Sequence, residues 1–273
     1  MSFQDGILVR ALRRGDWVIL DELNLAPSEV LEALNRLLDD NRQLYLPEIN
    51  QVITPHPNFR LFATQNPCGA YGGRKPLSKA FRNRFVELHI DDIPSAEMTT
   101  ILEKRCSCPP SHAKALVAIM DSLRQRRSKS GVFMGKDGLI TARDLLRWAE
   151  RRASSKTQLA EDGYMLLAER LRTPEEKRIV QEAIENQLKI TIDVNELYFG
   201  QKSAARLMLS GFNQENCPPS EKTKRLSAIA PTKSILRLMN LILRCYHQRE
   251  PVLLVGGKCL RFSFCLYFVP ILS

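Results

Sequence analysis

The residues able to do chemistry in this 273-residue chain stand where apolar runs stop. Trp17-Val18-Ile19-Leu20 leads straight into Asp21-Glu22. A continuous apolar run suits a parallel strand covered on both faces. Charges at its C-terminal end fall where open α/β sheets bind ligands. About 45 residues later a second strand-like run, Phe59–Gln65, closes on Asn66 and Pro67. An acidic pair and an amide on two strand ends fit one site at one edge of one sheet. In a nucleoside triphosphatase, the first carboxylate of such a pair holds Mg²⁺ through its water shell, and the second polarises the attacking water. A strand that simply stops at solvated acids would carry the same residues.

The elements that must position these groups follow from spacing. Asn24–Ser28 is a turn, and Val30, Leu31, Leu34, Leu37 and Leu38 fall at helical intervals after it. The helix is expected to end at Asp39-Asp40-Asn41. A short hairpin is predicted from Gln43–Leu46 and Gln51–Thr54, flanking Pro47-Glu48-Ile49-Asn50. Strands are predicted at 17–21, 59–65 and 85–89, and a helix over Phe3–Arg14 precedes the first of them. Asp91–Pro94 is a hinge, after which helices are predicted near 96–106, 111–127, 141–152, 162–172 and 175–189. Thr173-Pro174-Glu175-Glu176 is a start signal, with a capping Thr, Pro in the first turn and Glu three residues on.

Gly15–Pro27 (GDWVILDELNLAP) resembles the Walker B segment of the AAA+ ATPases, in their dynein-related branch. Phe59–Phe85 (FRLFATQNPCGAYGGRKPLSKAFRNRF) resembles that branch's sensor 1 strand and the arginine-bearing segment after it. The resemblance implies an α/β fold: a partial P-loop NTPase (AAA+) parallel-sheet core followed by an α-helical lid domain. It implies ATP and Mg²⁺ as cofactors. Asp21 would be the Mg²⁺-associated carboxylate, Glu22 the residue activating water, and Asn66 the sensor 1 amide that orients it. Arg84, with Arg82 as the alternative, would be the finger reaching the nucleotide of the adjacent module. Thr141–Trp148 resembles the lid helix with sensor 2, which makes Arg143 the γ-phosphate contact. A planar, always-charged guanidinium suits charge spread over phosphoryl oxygens. From spacing alone, Arg82 and Arg84 read as a solvated basic turn, and Arg143 as a surface partner of Asp144 or Glu150.

What the ribosome-assembly members of that branch do is implied in the same way. The expectation is ATP-driven remodelling of pre-60S ribosomal particles and release of assembly factors, in the nucleolus and nucleoplasm of the nucleus. The implied partners are adjacent AAA+ modules of the same ring, the pre-60S particle and its assembly factors. Against this, no G-x-x-x-x-G-K-[ST] occurs in the sequence, although backbone N–H groups and a lysine of such a loop cradle the phosphates. The chain is therefore expected to start partway through a module and not to hydrolyse ATP alone. A non-catalytic interaction fragment and a basic RNA-contacting module are the alternatives.

Five segments are expected: the core at 1–94, the helical lid at 95–190, a connector at 191–231, the start of a next module at 232–257 and an aberrant apolar tail at 258–273. Thr232–Arg249 has a wide apolar helical face, and Glu250–Gly257 resembles a strand opening into a phosphate loop that then fails at Lys258-Cys259-Leu260-Arg261. The tail is too short and too interrupted, by Pro270, to span a membrane, which takes about 20 apolar residues. No basic-then-apolar leader opens the chain, which reads as intracellular. Cys106-x-Cys108 with His112 has too few ligands for a zinc site. The net charge of +10 is uneven: residues 1–94 carry 11 Lys+Arg against 12 Asp+Glu, and residues 95–273 carry 29 against 18. Arg124–Lys129 and Lys222–Arg225 could touch RNA phosphates or form solvated faces.

Overall fold

Gly15 sets the junction between the opening helix and the first strand. Helix α1 (Ile7–Arg14) turns Val9, Ala11 and Leu12 inward and ends at Gly15 with φ of 82°. A Cβ there would lie 2.4 Å from His56 Nδ1, so the left-handed turn and the close approach both require glycine. The computed structural model describes residues 4–66, 76–130, 140–211 and 232–254. Among these, two compact units divide between Asp92 and Ile93.

In the first unit, β1 (Trp17–Leu20) is followed by a 3₁₀ turn (Leu23–Leu25) and α2 (Ser28–Leu38), which buries Leu34 and Leu37. Strands β2 (Leu44–Leu46) and β3 (Gln51–Ile53) form the antiparallel hairpin that the sequence predicts. Strand β4 (Arg60–Ala63) then returns parallel to β1, pairing Trp17 with Arg60 through Leu20 with Ala63. A short helix α3 (Lys79–Arg82) is capped by Ser78, whose hydroxyl accepts the Phe81 N–H. Val9, Leu12, Leu23, Leu34, Leu37, Leu44, Ile53 and Phe81 make the core. One face of the strand pair is open: Trp17, Ile19 and Phe62 are exposed, with the Trp17 and Phe62 rings 5.5 Å apart.

The strand predicted at Phe85–His89 does not form. Val86, Leu88 and Ile90 are 89, 83 and 94% exposed. The segment has the right alternation, but a strand exists only through its ladder, and among the described residues none pairs with it. Arg82 instead reaches along the turn to Glu87 with two hydrogen bonds of 2.5 and 2.8 Å.

The second unit is helical: α4 (Ser95–Cys106), α5 (Pro110–Ser130), α6 (Ala142–Glu150), α7 (Lys156–Leu167) and α8 (Pro174–Leu188). Caps define their starts. Thr141 and Asp144 form a reciprocal capping box on α6, and the Thr173 hydroxyl accepts the Glu176 N–H at α8. Helix α7 starts six residues before its predicted position, capped by Ser155, and a 3₁₀ turn (Ala168–Arg170) continues it. Trp148 is fully buried and donates from Nε1 to the Leu159 carbonyl at 2.9 Å.

Two further helices, α9 (Val194–Phe199) and α10 (Ala204–Gly211), occupy the described part of the expected connector. Helix α11 (Lys233–His247), capped by Thr232, is the amphipathic helix expected from the sequence. Its buried Asn240 donates to the Tyr198 and Leu236 carbonyls and accepts the Ala205 N–H. The start of the strand expected after Glu250 is not formed at Pro251–Leu254, and Glu250 pairs with Arg151 instead. The loop that the sequence predicts over 131–138, the break that it predicts at Cys217–Ser220, the basic run Lys222–Arg225 and the expected apolar tail lie outside the described residues. Among the described residues, no helix is long and apolar enough to cross a membrane.

Candidate functional site at the tips of two parallel strands

Because β1 and β4 are parallel and in register, Leu20 and Ala63 end side by side, and the residues after them emerge at one edge. Asp21 and Glu22 leave β1, and Thr64, Gln65 and Asn66 leave β4. The Thr64 N–H donates to the Leu20 carbonyl at 3.0 Å, and the Leu23 N–H donates to the Thr64 carbonyl at 2.9 Å. The Thr64 hydroxyl donates to Asp21 Oδ1 at 2.6 Å and accepts the Glu22 N–H at 3.0 Å. Asn66 Nδ2 reaches Glu22 Oε1 at 3.5 Å. The acidic pair and the amide predicted from the two strand ends are therefore neighbours.

Glu22 adopts φ of 53° and ψ of 46°, the left-handed region. For a residue with a Cβ this costs about 1–2 kcal/mol. The Glu22 carbonyl, in turn, accepts the Leu25 N–H at 2.9 Å, so the strained residue is fixed on both sides. Behind it, Asn24 is buried and donates from Nδ2 to the Asn66 carbonyl at 3.0 Å. Its Oδ1 is buried without a hydrogen-bond partner. Neither Thr64 nor Asn24 stands out in the sequence. The signal that finds them is the parallel register, which puts both beside the acids.

Arg84 donates from Nε to Asp39 Oδ1 at 2.5 Å and from Nη1 to the Ala80 carbonyl at 2.9 Å. Arg82 is engaged by Glu87, and its hydrogen bond holds the Glu87 carboxyl below the usual range. Both candidate fingers thus rest on acids of the first unit. Arg143 belongs to the second unit, where it is the exposed second residue of α6 and has no hydrogen-bond or ion-pair partner among the described residues. Asp144 pairs with Arg170 rather than Arg143, at 2.5 Å.

The donors at the strand tips are oxygens, which suits a hard cation such as Mg²⁺. That ion is held through one or two carboxylates, its own waters and substrate phosphates. Asp21 Oδ2 has no partner among the described residues, so one oxygen remains for a cation's water shell. The residues present fit Mg²⁺ on that chemistry. Elsewhere, Cys106 and Cys108 are buried core residues whose thiols burial pushes up. Among the described residues, no group of His, Cys, Asp and Glu gathers around a metal position. In the basic run on α5, Arg126 lies 3.6 Å from Glu182.

An α/β unit with acids and an amide on adjacent parallel strand tips, followed by a helical unit, defines an AAA+ module with its lid. Residues 1–85 match the family described as the AAA domain of the dynein-related subfamily, and residues 97–191 match the midasin AAA lid domain. The chain belongs to the midasin family of AAA+ proteins. It is 55% identical over 267 residues to Midasin of Dictyostelium discoideum, covering 97% of this chain and 4% of that relative. Similarity to Midasin of Giardia intestinalis is 38% over 269 residues, 94% of this chain and 6% of the relative. An uncharacterized protein of Staphylococcus aureus (strain USA300) is 34% identical over 103 residues, 38% of each chain. The chain thus spans only a small fraction of the midasins it matches.

Proposed function

We propose that this chain is a segment of a longer AAA+ motor that uses ATP hydrolysis to remodel pre-60S ribosomal particles and release assembly factors in the nucleus. Similarity to two midasins supports the assignment to such a motor. The observation that carries the chemistry is the meeting of Asp21, Glu22 and Asn66 at adjacent strand tips. Asp21 holds the cation's water shell through Oδ2. Glu22 accepts the proton of the attacking water, and Asn66 fixes that water's orientation from the next strand. Bound Mg²⁺·ATP supplies the phosphoryl group and the charge that draws it into line.

Arg84, or Arg82 in its place, releases its carboxylate partner to reach the nucleotide of the adjacent module in the ring. Arg143, unpaired in its own unit, contacts the γ-phosphate as sensor 2. A second reading is that the chain acts as a non-catalytic interaction segment.

Glu22→Gln in the full-length polypeptide separates the two. Retained ATP binding with hydrolysis reduced at least about a hundredfold is expected, the usual scale of losing a general base. Hydrolysis unchanged by this variant would overturn the catalytic reading and leave the interaction reading.

A further inference from the structure

We propose that Thr64 is the positioning residue of this site, a single side chain that sets the Asp21 carboxylate and the Glu22 backbone together. The inference rests on the catalytic reading above and deepens it. Every polar atom of Thr64 is bonded to one of four consecutive residues: its N–H to Leu20, its hydroxyl proton to Asp21, its hydroxyl oxygen to the Glu22 N–H, and its carbonyl to the Leu23 N–H. Among the described residues, no residue of β4 itself grips the end of β1 in this way.

The chemistry of a hydroxyl makes the arrangement directional. It has one proton to give and two lone pairs to receive with. The proton is committed to an ionised acceptor at 2.6 Å, the short range of a charge-assisted O–H···O⁻ bond. Asp21 Oδ1 is therefore occupied, and the carboxylate presents only Oδ2 outward. The same oxygen receives the N–H of Glu22, a residue in left-handed conformation. Its φ sets the direction in which the Glu22 side chain leaves the main chain, and Oε1 lies 3.5 Å from Asn66 Nδ2. The cation-holding carboxylate and the main chain of the water-activating residue are thus tied to one hydroxyl.

Thr64→Val keeps the shape and removes the hydroxyl, and Thr64→Ser keeps the hydroxyl and removes the methyl. In the 273-residue chain without ligand, amide hydrogen exchange at Glu22 should speed about tenfold in the valine variant, as for loss of one hydrogen bond. The serine variant should exchange within about threefold of the parent. In the full-length polypeptide, Thr64→Val should lower kcat for ATP about tenfold or more with little change in KM, and Thr64→Ser should restore it.

Unaltered exchange at Glu22 in the valine variant, or a kcat equal to the parent's, would overturn the inference. So would a serine variant as slow as the valine one, or a fall in melting temperature with kcat and KM changed together, since each marks packing alone. Glu22→Gln, assayed alongside, distinguishes the two failures. If it abolishes hydrolysis while Thr64→Val does not, only the role of Thr64 is lost. If it leaves hydrolysis intact, the catalytic reading fails, and the role of Thr64 fails with it.

Discussion

The Arg151 guanidinium donates two hydrogen bonds to the Glu250 carboxylate, at 2.8 and 2.6 Å, joining the end of α6 to the segment beyond α11. Arg151 also lies 3.4 Å from Asp162, which accepts two bonds from Arg244 at 2.7 and 2.6 Å. Arg151 and Asp162 are 3 and 2% exposed. Removing one partner of a buried pair strands the other, at about 3–5 kcal/mol. Asp162→Ala should therefore lower the stability of the helical unit by that order, measured by urea unfolding. Asp162→Asn should cost less, because the amide oxygen still accepts.

The acid limb of stability should come from the same unit. Burial would raise the Glu250 carboxyl, but the Arg151 hydrogen bonds and charge outweigh it and hold it below its ordinary 4.5. Asp144 is likewise raised by burial and then held below 3.8 by Arg170 and by hydrogen bonds from Thr141. With the folded values depressed, the unfolded chain takes up protons first as pH falls. The stabilisation is complete above the unfolded values, begins to fade near roughly pH 5 and is lost through the lower folded values. Melting temperature should thus be flat from neutrality to that point and decline below it. Asp144→Asn should flatten the decline, and a slope unchanged in that variant would refute the assignment.

Gly163 should tolerate no side chain. A Cβ there would lie 2.0 Å from the buried Trp148 ring, and both sit in the core between α6 and α7. Overpacking of this kind costs about 1–3 kcal/mol or more. Gly163→Ala should depress the melting temperature and perturb Trp148 fluorescence, whereas Gly6→Ala, with open space around its Cβ position, should do neither.

The candidate fingers give a contrast between activity and stability. Arg84 and Asp39 are partly exposed, so their ion pair is worth no more than about 1 kcal/mol. Arg84→Ala should barely change unfolding of the chain, yet lower ring hydrolysis by about 10³-fold or more if it is the finger. Arg82→Ala in the same assay identifies which arginine reaches across. Equal, small losses for both would remove the finger role from this segment.

Asn24→Ala tests the support behind Asn66. The substitution removes the donor to the part-buried Asn66 carbonyl and should cost about 0.5–1.5 kcal/mol, the net scale of one hydrogen bond. Chemical unfolding checks the stability, and ATP hydrolysis by the full-length polypeptide should fall with it.

Much of this was readable from local patterns. The acids that end β1 and the amide that follows β4 interrupt apolar runs, a signal that needs no tertiary information. Capping residue Thr173 likewise announces its helix. What stayed hidden depends on register or distance. Thr64 and Asn24 are ordinary residues until the β1 and β4 pairing puts them beside Asp21 and Glu22. Val86, Leu88 and Ile90 alternate like a strand but lack a described neighbour to pair with. Glu250 looks like the entrance to a strand, yet a guanidinium buried 99 residues earlier in the chain captures it. Arg237 and Arg244 resemble solvated charges on α11, and only the folded chain shows the acids that await them.

Those two arginines are seven residues apart, and so are their acceptors. Arg244 meets Asp162 and Arg237 meets Glu169, so the numbering rises along one element as it falls along the other. The contact works like a key with two teeth. Sliding α11 by one turn, or rolling it about its axis, disengages both teeth at once and leaves Asp162 with Arg151 and Glu169 with Lys177 and Tyr198. A pull applied beyond Glu250 would therefore not be absorbed by slippage along α11. It would load the Arg244–Asp162 and Arg151–Glu250 pairs, which belong to α7 and to the end of α6.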